Sequence, residues 1–229
     1  MIKKILLAGC IISLAFFSSC KSDDDEVKTL SIEEQNAADD AAIINFLDNY
    51  YFDDLGKVTK FSDTVTSDDK DPLSKNAKKD PSGFWYVVNA EASAGDGENP
   101  DGENNILIHY TLKYFTATEG GNGYTYLYTA SSSIDNIGVA QENPFFYKKP
   151  ENSTYDDNYY TIKGIVNGLK NFKPTGKGKN DPYDKLQGVI IVPSRLAYAR
   201  NSNYLGLADV TFILNFELYK VCSGEQTCL

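Results

Sequence analysis

Apolar and polar residues alternate most regularly near the end of the chain. Val210, Phe212, Leu214, Phe216 and Leu218 fall on one face of an extended segment, and Thr211, Asn215, Glu217 and Tyr219 on the other. A period of two is what a strand with one buried face requires. The same period runs through Ile106, Ile108, Tyr110, Leu112 and Tyr114, predicting a second long strand with His109 on its opposite, outward face. Residues 189–192, an apolar run halted by Pro193, and residues 84–90 predict two further strands. Earlier the spacing changes. Ile43, Phe46, Leu47 and Tyr50 recur at helical intervals, giving one apolar stripe, and Ser31 with Glu34 forms a capping box that would start the helix. A short second helix is expected where Ile165, Leu169 and Phe172 share a face.

Between these elements the composition shifts. Residues 52–81 are charged, carry Asp71-Pro72 and Asp80-Pro81, and predict a loose connection with one short strand near 58–65. Residues 91–105 and 173–187, rich in Gly, Asn, Asp, Lys and Pro, read as loops.

The first residues have a separate logic. Lys3 and Lys4 precede an apolar stretch over 5–17 and then Ser18-Ser19-Cys20, the layout of a secretory leader. The stretch is shorter than the roughly 20 apolar residues needed to span a bilayer. Small residues directly before a Cys resemble a bacterial lipoprotein signal, which implies lipidation of Cys20 and a membrane partner through that lipid. Leu7-Ala8-Gly9-Cys10 also fits the cleavage pattern but has few apolar residues ahead of it, and an ordinary leader cut without lipidation is the alternative. The charged run Lys21-Ser22-Asp23-Asp24-Asp25-Glu26 reads as a solvated tether and is similar to the export signal of surface lipoproteins in Bacteroidetes. Asp63-Thr64-Val65 resembles the O-glycosylation site of the same group. In an exported chain, Cys222 and Cys228 are left to form a disulfide, with a free-thiol pair as the alternative. The expected organisation is a leader (1–19), an acidic tether (20–30), a helix and linker (31–83), a main domain (84–221) and a tail (222–229).

Charge and chemistry narrow the function. With 32 acidic against 22 basic residues and a formal net charge of −10, a nucleic-acid partner is disfavoured. A single His argues against a Ser-His-Asp hydrolase or a His-rich metal site. No Gly-rich loop joins a strand to a helix, and residues 96–103, though rich in oxygen donors, lack the ordered spacing of a calcium loop. Neither a metal nor a cofactor is implied.

Several segments resemble FKBP-type peptidyl-prolyl isomerases in the right order. They are Ile108-His109-Tyr110-Thr111; Thr161-Ile162-Lys163-Gly164-Ile165 with Gly168-Leu169; Ile191-Val192-Pro193 leading to Leu196-Ala197-Tyr198; and Glu217-Leu218 closing the last strand. The helix-first lipoprotein layout also resembles gliding-motility FKBP lipoproteins of Bacteroidetes. The resemblance implies an α+β fold, an FKBP-like antiparallel sheet wrapped around a short helix, with the N-terminal helix docked outside. It implies that Tyr198 donates a hydrogen bond to a substrate carbonyl and that Ile162 offers its backbone amide. Tyr110, Tyr128, Phe145, Ile165 and Leu214 would wall the proline ring. Three positions depart from the pattern: Thr129 stands where the family has Asp, Ile165 where it has Trp, and Leu214 where it has Phe. Ala199 replaces the glycine that usually follows the Tyr.

Prolyl isomerisation suits such a site because it needs no nucleophile. Its barrier of roughly 18–20 kcal/mol comes from amide resonance, so the catalyst has to bind the twisted amide better than the planar one. The expected activity is therefore a prolyl isomerase or folding factor at the outer membrane, acting on proline-containing segments of exported proteins. The alternative is an FKBP-fold binding module without turnover. A glycan-binding lipoprotein, from the many tyrosines, is a third and remoter reading.

Overall fold

The computed structural model describes residues 30–62, 69–92, 95–120, 123–128, 134–135, 139–201, 206, 208–224 and 226–229, with backbone alone for 118–120, 123–128 and 134–135. The leader with Cys10 and Cys20, the acidic run, Asp63-Thr64-Val65 and Thr129 lie outside the described residues, as does the side chain of Tyr128.

Helix α1 (Ile32–Asn49) starts as its capping box requires. The Ser31 hydroxyl accepts from the Glu34 amide at 3.1 Å, and the Glu34 carboxylate accepts from the Ser31 amide at 2.8 Å. Its stripe of Ala38, Ala42, Ile43, Phe46 and Leu47 is buried, and the Phe46 ring stacks on Tyr50 at 4.1 Å and faces Phe115 at 6.3 Å. Burying each large side chain is worth about 1.5–3 kcal/mol, which fixes the helix to the sheet without help from propensity.

The short strands β1 (Tyr50–Phe52) and β2 (Val58–Lys60) form a separate hairpin. The short strand expected near 58–65 is therefore β2, and its partner is β1 rather than the main sheet. The main sheet is antiparallel in every described pairing. It runs β3 (Lys78–Lys79), β4 (Trp85–Val88), β9 (Gly188–Val192), β10 (Val210–Cys222), β5 (Asn105–Gly120) and β6 (Gly123–Tyr128), with β7 (Ile134–Asp135) and β8 (Gln141–Glu142) also on β5. The register sets Leu214 opposite Leu112, Phe216 opposite Tyr110 and Leu218 opposite Ile108, so the apolar alternations of the two long strands coincide on one face. Helices α2 (Asp157–Tyr160) and α3 (Lys163–Leu169) follow, and α3 covers that face through Ile165 and Leu169.

The α+β architecture is thus a sheet covered on one face by α3 and on the other by α1. Strand β9 lies between β4 and β10, with Ile190 and Val192 in the α3 core and Val189 and Ile191 in the α1 core. A strand buried on both faces reads as an unbroken apolar run, which is what residues 189–192 show.

Two expectations are corrected. Strand β10 is not half-buried: Thr211, Asn215, Glu217 and Tyr219 on its second face are all 6% exposed or less. Asn215, Glu217 and Tyr219 are matched there, Tyr219 by donating its hydroxyl to the Asp181 carbonyl at 2.9 Å, while the buried Thr211 hydroxyl has no hydrogen-bond partner among the described residues. The Asn215 amide donates to the carbonyls of Gly56 (3.1 Å) and Gly188 (2.9 Å) and its oxygen accepts from the Val58 amide (3.0 Å). Lys177 pairs with Glu217 at 2.9 Å and with Asp184 at 3.0 Å. Burial nevertheless pushes the Glu217 carboxyl above its ordinary range, with Lys177 opposing the shift. His109, expected on an outward face, is likewise buried, its ring 4.6 Å from that of Tyr183.

The glycines of the helix-entry motif have a steric cause. A Cβ on Gly164 would lie 2.3 Å from Val192 Cγ1, and one on Gly168 would lie 2.6 Å from Ile190 Cγ2. Helix α3 therefore sits on β9 at a distance that only hydrogen side chains allow.

Candidate functional site

Tyr110, Ile162, Ile165, Leu214 and Tyr198 come from β5, the turn before α3, α3 itself, β10 and the loop after β9, and they meet in one apolar cluster. Phe145, from the segment after β8, packs against it. The backbone of Tyr128 pairs with Phe115 on β5.

Tyr198 is carried by a short turn, Ser194–Leu196, that follows Pro193. Its ring meets Phe212 edge-on at 5.8 Å, and Phe212 in turn lies 6.0 Å from Tyr114. Its hydroxyl donates to the backbone carbonyl of Tyr160 at 2.8 Å. The Ile162 amide donates to the Phe146 carbonyl, also at 2.8 Å. Tyr110 meets Phe146 edge-on at 4.8 Å and donates its hydroxyl to Gln141 Oε1 at 2.9 Å. Both groups that the resemblance assigns to a substrate carbonyl are thus engaged by the chain's own backbone.

Burial agrees with that description. Ile162, Ile165 and Leu214 are fully buried and Tyr110 is 2% exposed, so these side chains pack on one another rather than facing an open cleft. Tyr198, at 8%, and the partly buried Phe145 are the members that reach toward solvent. A polypeptide carbonyl reaching Tyr198 would have to replace that of Tyr160, and a proline ring would have to part Phe212 and its neighbours.

The loop bearing Tyr198 is held from the far side of the sheet. Asp39 on α1 accepts from both the amide (2.9 Å) and the hydroxyl (2.6 Å) of Ser194 and from the Gln35 side chain (2.9 Å), while Arg195 pairs with Asp40 at 2.8 Å. Burial raises the Asp39 carboxyl above its ordinary value, and the hydrogen bonds from Ser194 and Gln35 oppose the rise. Sequence reasoning missed Asp39, Ser194 and Phe212. A carboxylate at position 39, in the apolar stripe of α1 between Gln35 and Ile43, was the available signal. Cys222 and Cys228 are disulfide-bonded, their Cα atoms 5.7 Å apart, with Cys228 buried against Leu107 and Tyr219.

No protein-family model matches the sequence, and no curated protein matches it significantly. Solved structures do match. FkpA from Escherichia coli is 22% identical over 65% of this chain and 52% of its own, with a TM-score of 0.35. A peptidyl-prolyl cis-trans isomerase from Pseudomonas syringae pv. tomato is 13% identical over 86% of this chain and 99% of its own, with a TM-score of 0.45. A DUF4827 family protein from Parabacteroides distasonis is 18% identical over 83% and 98%, with a TM-score of 0.39. The chain spans about half of the FkpA chain, 52%. FKBP-type isomerases are among these neighbours. The fold assignment rests on the sheet order and helix placement described above, not on these scores.

Proposed function

We propose that the chain is an FKBP-like module that binds proline-containing segments of exported polypeptides at the Tyr198 cluster, without efficient turnover, while a lipid on Cys20 tethers it to the outer membrane. The observation that carries the binding reading is the commitment of the site's two donors: Tyr198 to the Tyr160 carbonyl and the Ile162 amide to the Phe146 carbonyl. Turnover requires a water-poor space that favours the twisted amide over the planar one. Walls that fill that space leave only what can be opened by binding.

A second reading, a prolyl isomerase acting on the same segments, is favoured by the convergence of Tyr198, Tyr110, Ile162, Ile165 and Leu214 in one cluster. Isomerisation of a short Xaa-Pro peptide, measured beside a Tyr198→Phe variant and paired with titration of the same peptide, separates the two. Saturable binding without acceleration, weakened in the variant, supports the binding module. Acceleration that falls in the variant makes the chain an isomerase. Neither binding nor acceleration would sink both readings. For the tether, Cys20→Ser should move the protein from the membrane to the soluble envelope fraction.

A further inference from the structure

Helix α2 is a single turn that buries none of its residues, yet three aromatic rings line the surface there. Tyr155, just before the residue that caps the turn, is 56% exposed and stacks on Tyr159 with centroids 4.4 Å apart and planes 21° from parallel. Tyr159 in turn meets Tyr160 edge-on at 4.9 Å, with planes at 74°. None of the three belongs to a buried apolar cluster. The backbone holds the line of rings in place. The Tyr159 amide donates to the Asp156 carbonyl at 3.0 Å, the Thr161 amide and hydroxyl donate to that of Asp157 at 2.8 and 3.0 Å, and the Tyr160 carbonyl accepts from Tyr198. Adjacent rings that face water and serve no core are the kind of surface on which partners dock.

The geometry says what kind of partner fits. The line of centroids, with steps of 4.4 and 4.9 Å, is no longer than one turn of a polyproline II helix, three residues at roughly 3.1 Å each. Such helices dock on aromatic side chains because they are extended beforehand and have little entropy left to lose. An added strand is excluded as the mode here, since α2 offers no strand edge. A stacked sugar is a poorer fit, because Tyr155 and Tyr159 turn a face of each ring on the other. The line also has a direction. It ends at Tyr160, whose carbonyl is the one that the Tyr198 hydroxyl holds, so a polypeptide that displaces this carbonyl lies beside the rings.

We propose that Tyr155, Tyr159 and Tyr160 form a docking ridge for a polyproline II stretch next to the proline held at the Tyr198 cluster, so that the partner is a proline-rich segment rather than one with an isolated proline. The choice of occupant rests on the binding reading of that cluster. Calorimetric titration of the full chain with a hexaproline peptide, beside a peptide of the same length with one central proline, makes the test. Both are uncharged because Asp156 and Asp157 flank the ridge. Hexaproline should bind more tightly. Tyr155→Ala should weaken it about fivefold to tenfold while the single-proline peptide and the unfolding midpoint hold. Tyr155→Phe, which keeps the ring, should bind as the native chain does. No hexaproline binding at millimolar concentration overturns the proposal, whether or not cellotriose binds in its place. So does hexaproline binding that Tyr155→Ala leaves unchanged, or a loss in that variant that both peptides share. If hexaproline alone binds and Tyr155→Ala weakens it, the ridge stands and the reading of the Tyr198 cluster fails.

Discussion

Asp39, on the helix covering one face of the sheet, accepts hydrogen bonds from both the amide and the hydroxyl of Ser194, at 2.9 and 2.6 Å, just ahead of Tyr198. The loop bearing Tyr198 is thereby fastened to a helix that contributes no residue to the Tyr198 cluster. Burial is the largest influence on this carboxyl and raises its native pKa above 3.8. A group that holds its proton more tightly when folded adds stability below the unfolded value, and that contribution is lost as pH rises through the raised native value. Asp39→Asn removes the titration. The stability of the native chain relative to Asp39→Asn should therefore grow as pH falls from 7 toward 4, in urea unfolding of both proteins at several pH values. A difference that is flat or shrinks on acidification would show that burial does not govern this group.

Ala199 has a φ of 48°, in the left-handed region, at the position where the FKBP pattern carries glycine. The conformation is held by hydrogen bonds on both sides, from the Ala199 amide to Ser194 O at 2.9 Å and from the Asp209 amide to Ala199 O at 2.7 Å. A left-handed alanine costs about 1–2 kcal/mol, and glycine's freedom in the unfolded chain returns part of that. Ala199→Gly should raise unfolding stability by about 0.5–1 kcal/mol with the site unchanged. A loss of stability in urea titration would contradict the assignment of strain to this residue.

Much of this was legible because it depended on spacing. The apolar alternations of β5 and β10, the stripe on α1 with its capping box, and the Gly164-to-Leu169 entry into α3 each state a local requirement that tertiary structure then met. The burial of the second face of β10 was hidden, because Asn215 and Glu217 read as solvent-facing until the β1–β2 hairpin and Lys177, distant in sequence, supply their partners. The closing of the site was hidden for the same reason. A backbone carbonyl carries no residue signature, so nothing in the sequence marks Tyr160 as the partner of Tyr198.

Gly164 tests the close approach of α3 to β9. A methyl group there would meet both γ-carbons of Val192, at 2.3 and 2.9 Å, and a β-branched side chain buried on both faces of its strand has little room to turn away. Gly164→Ala should cost about 1–3 kcal/mol through overpacking, despite alanine's better helix propensity. Gly164→Ala combined with Val192→Ala should recover part of the loss. If the single variant is as stable as the native chain in thermal unfolding, the helix is not held at this distance.

The contact between Tyr198 and Tyr160 makes a local prediction. Two adjacent fastenings join the end of segment 147–161 to the core: the Ile162 amide on the Phe146 carbonyl, and the Tyr198 hydroxyl on the Tyr160 carbonyl. Tyr198→Phe keeps the ring on Phe212 and deletes only the second fastening, at a cost of about 1–2 kcal/mol. The amides of Tyr159 and Thr161, bonded to the carbonyls of Asp156 and Asp157, lie on the released side and should exchange with deuterium several-fold faster. The Ile162 amide, whose own bond is untouched, should keep its protection. A uniform rise across 157–165 would mean that the fastenings open together and that Tyr198 serves the whole core. A rise confined to the residues before Ile162 would mean that a ligand need displace only one carbonyl to reach the tyrosine.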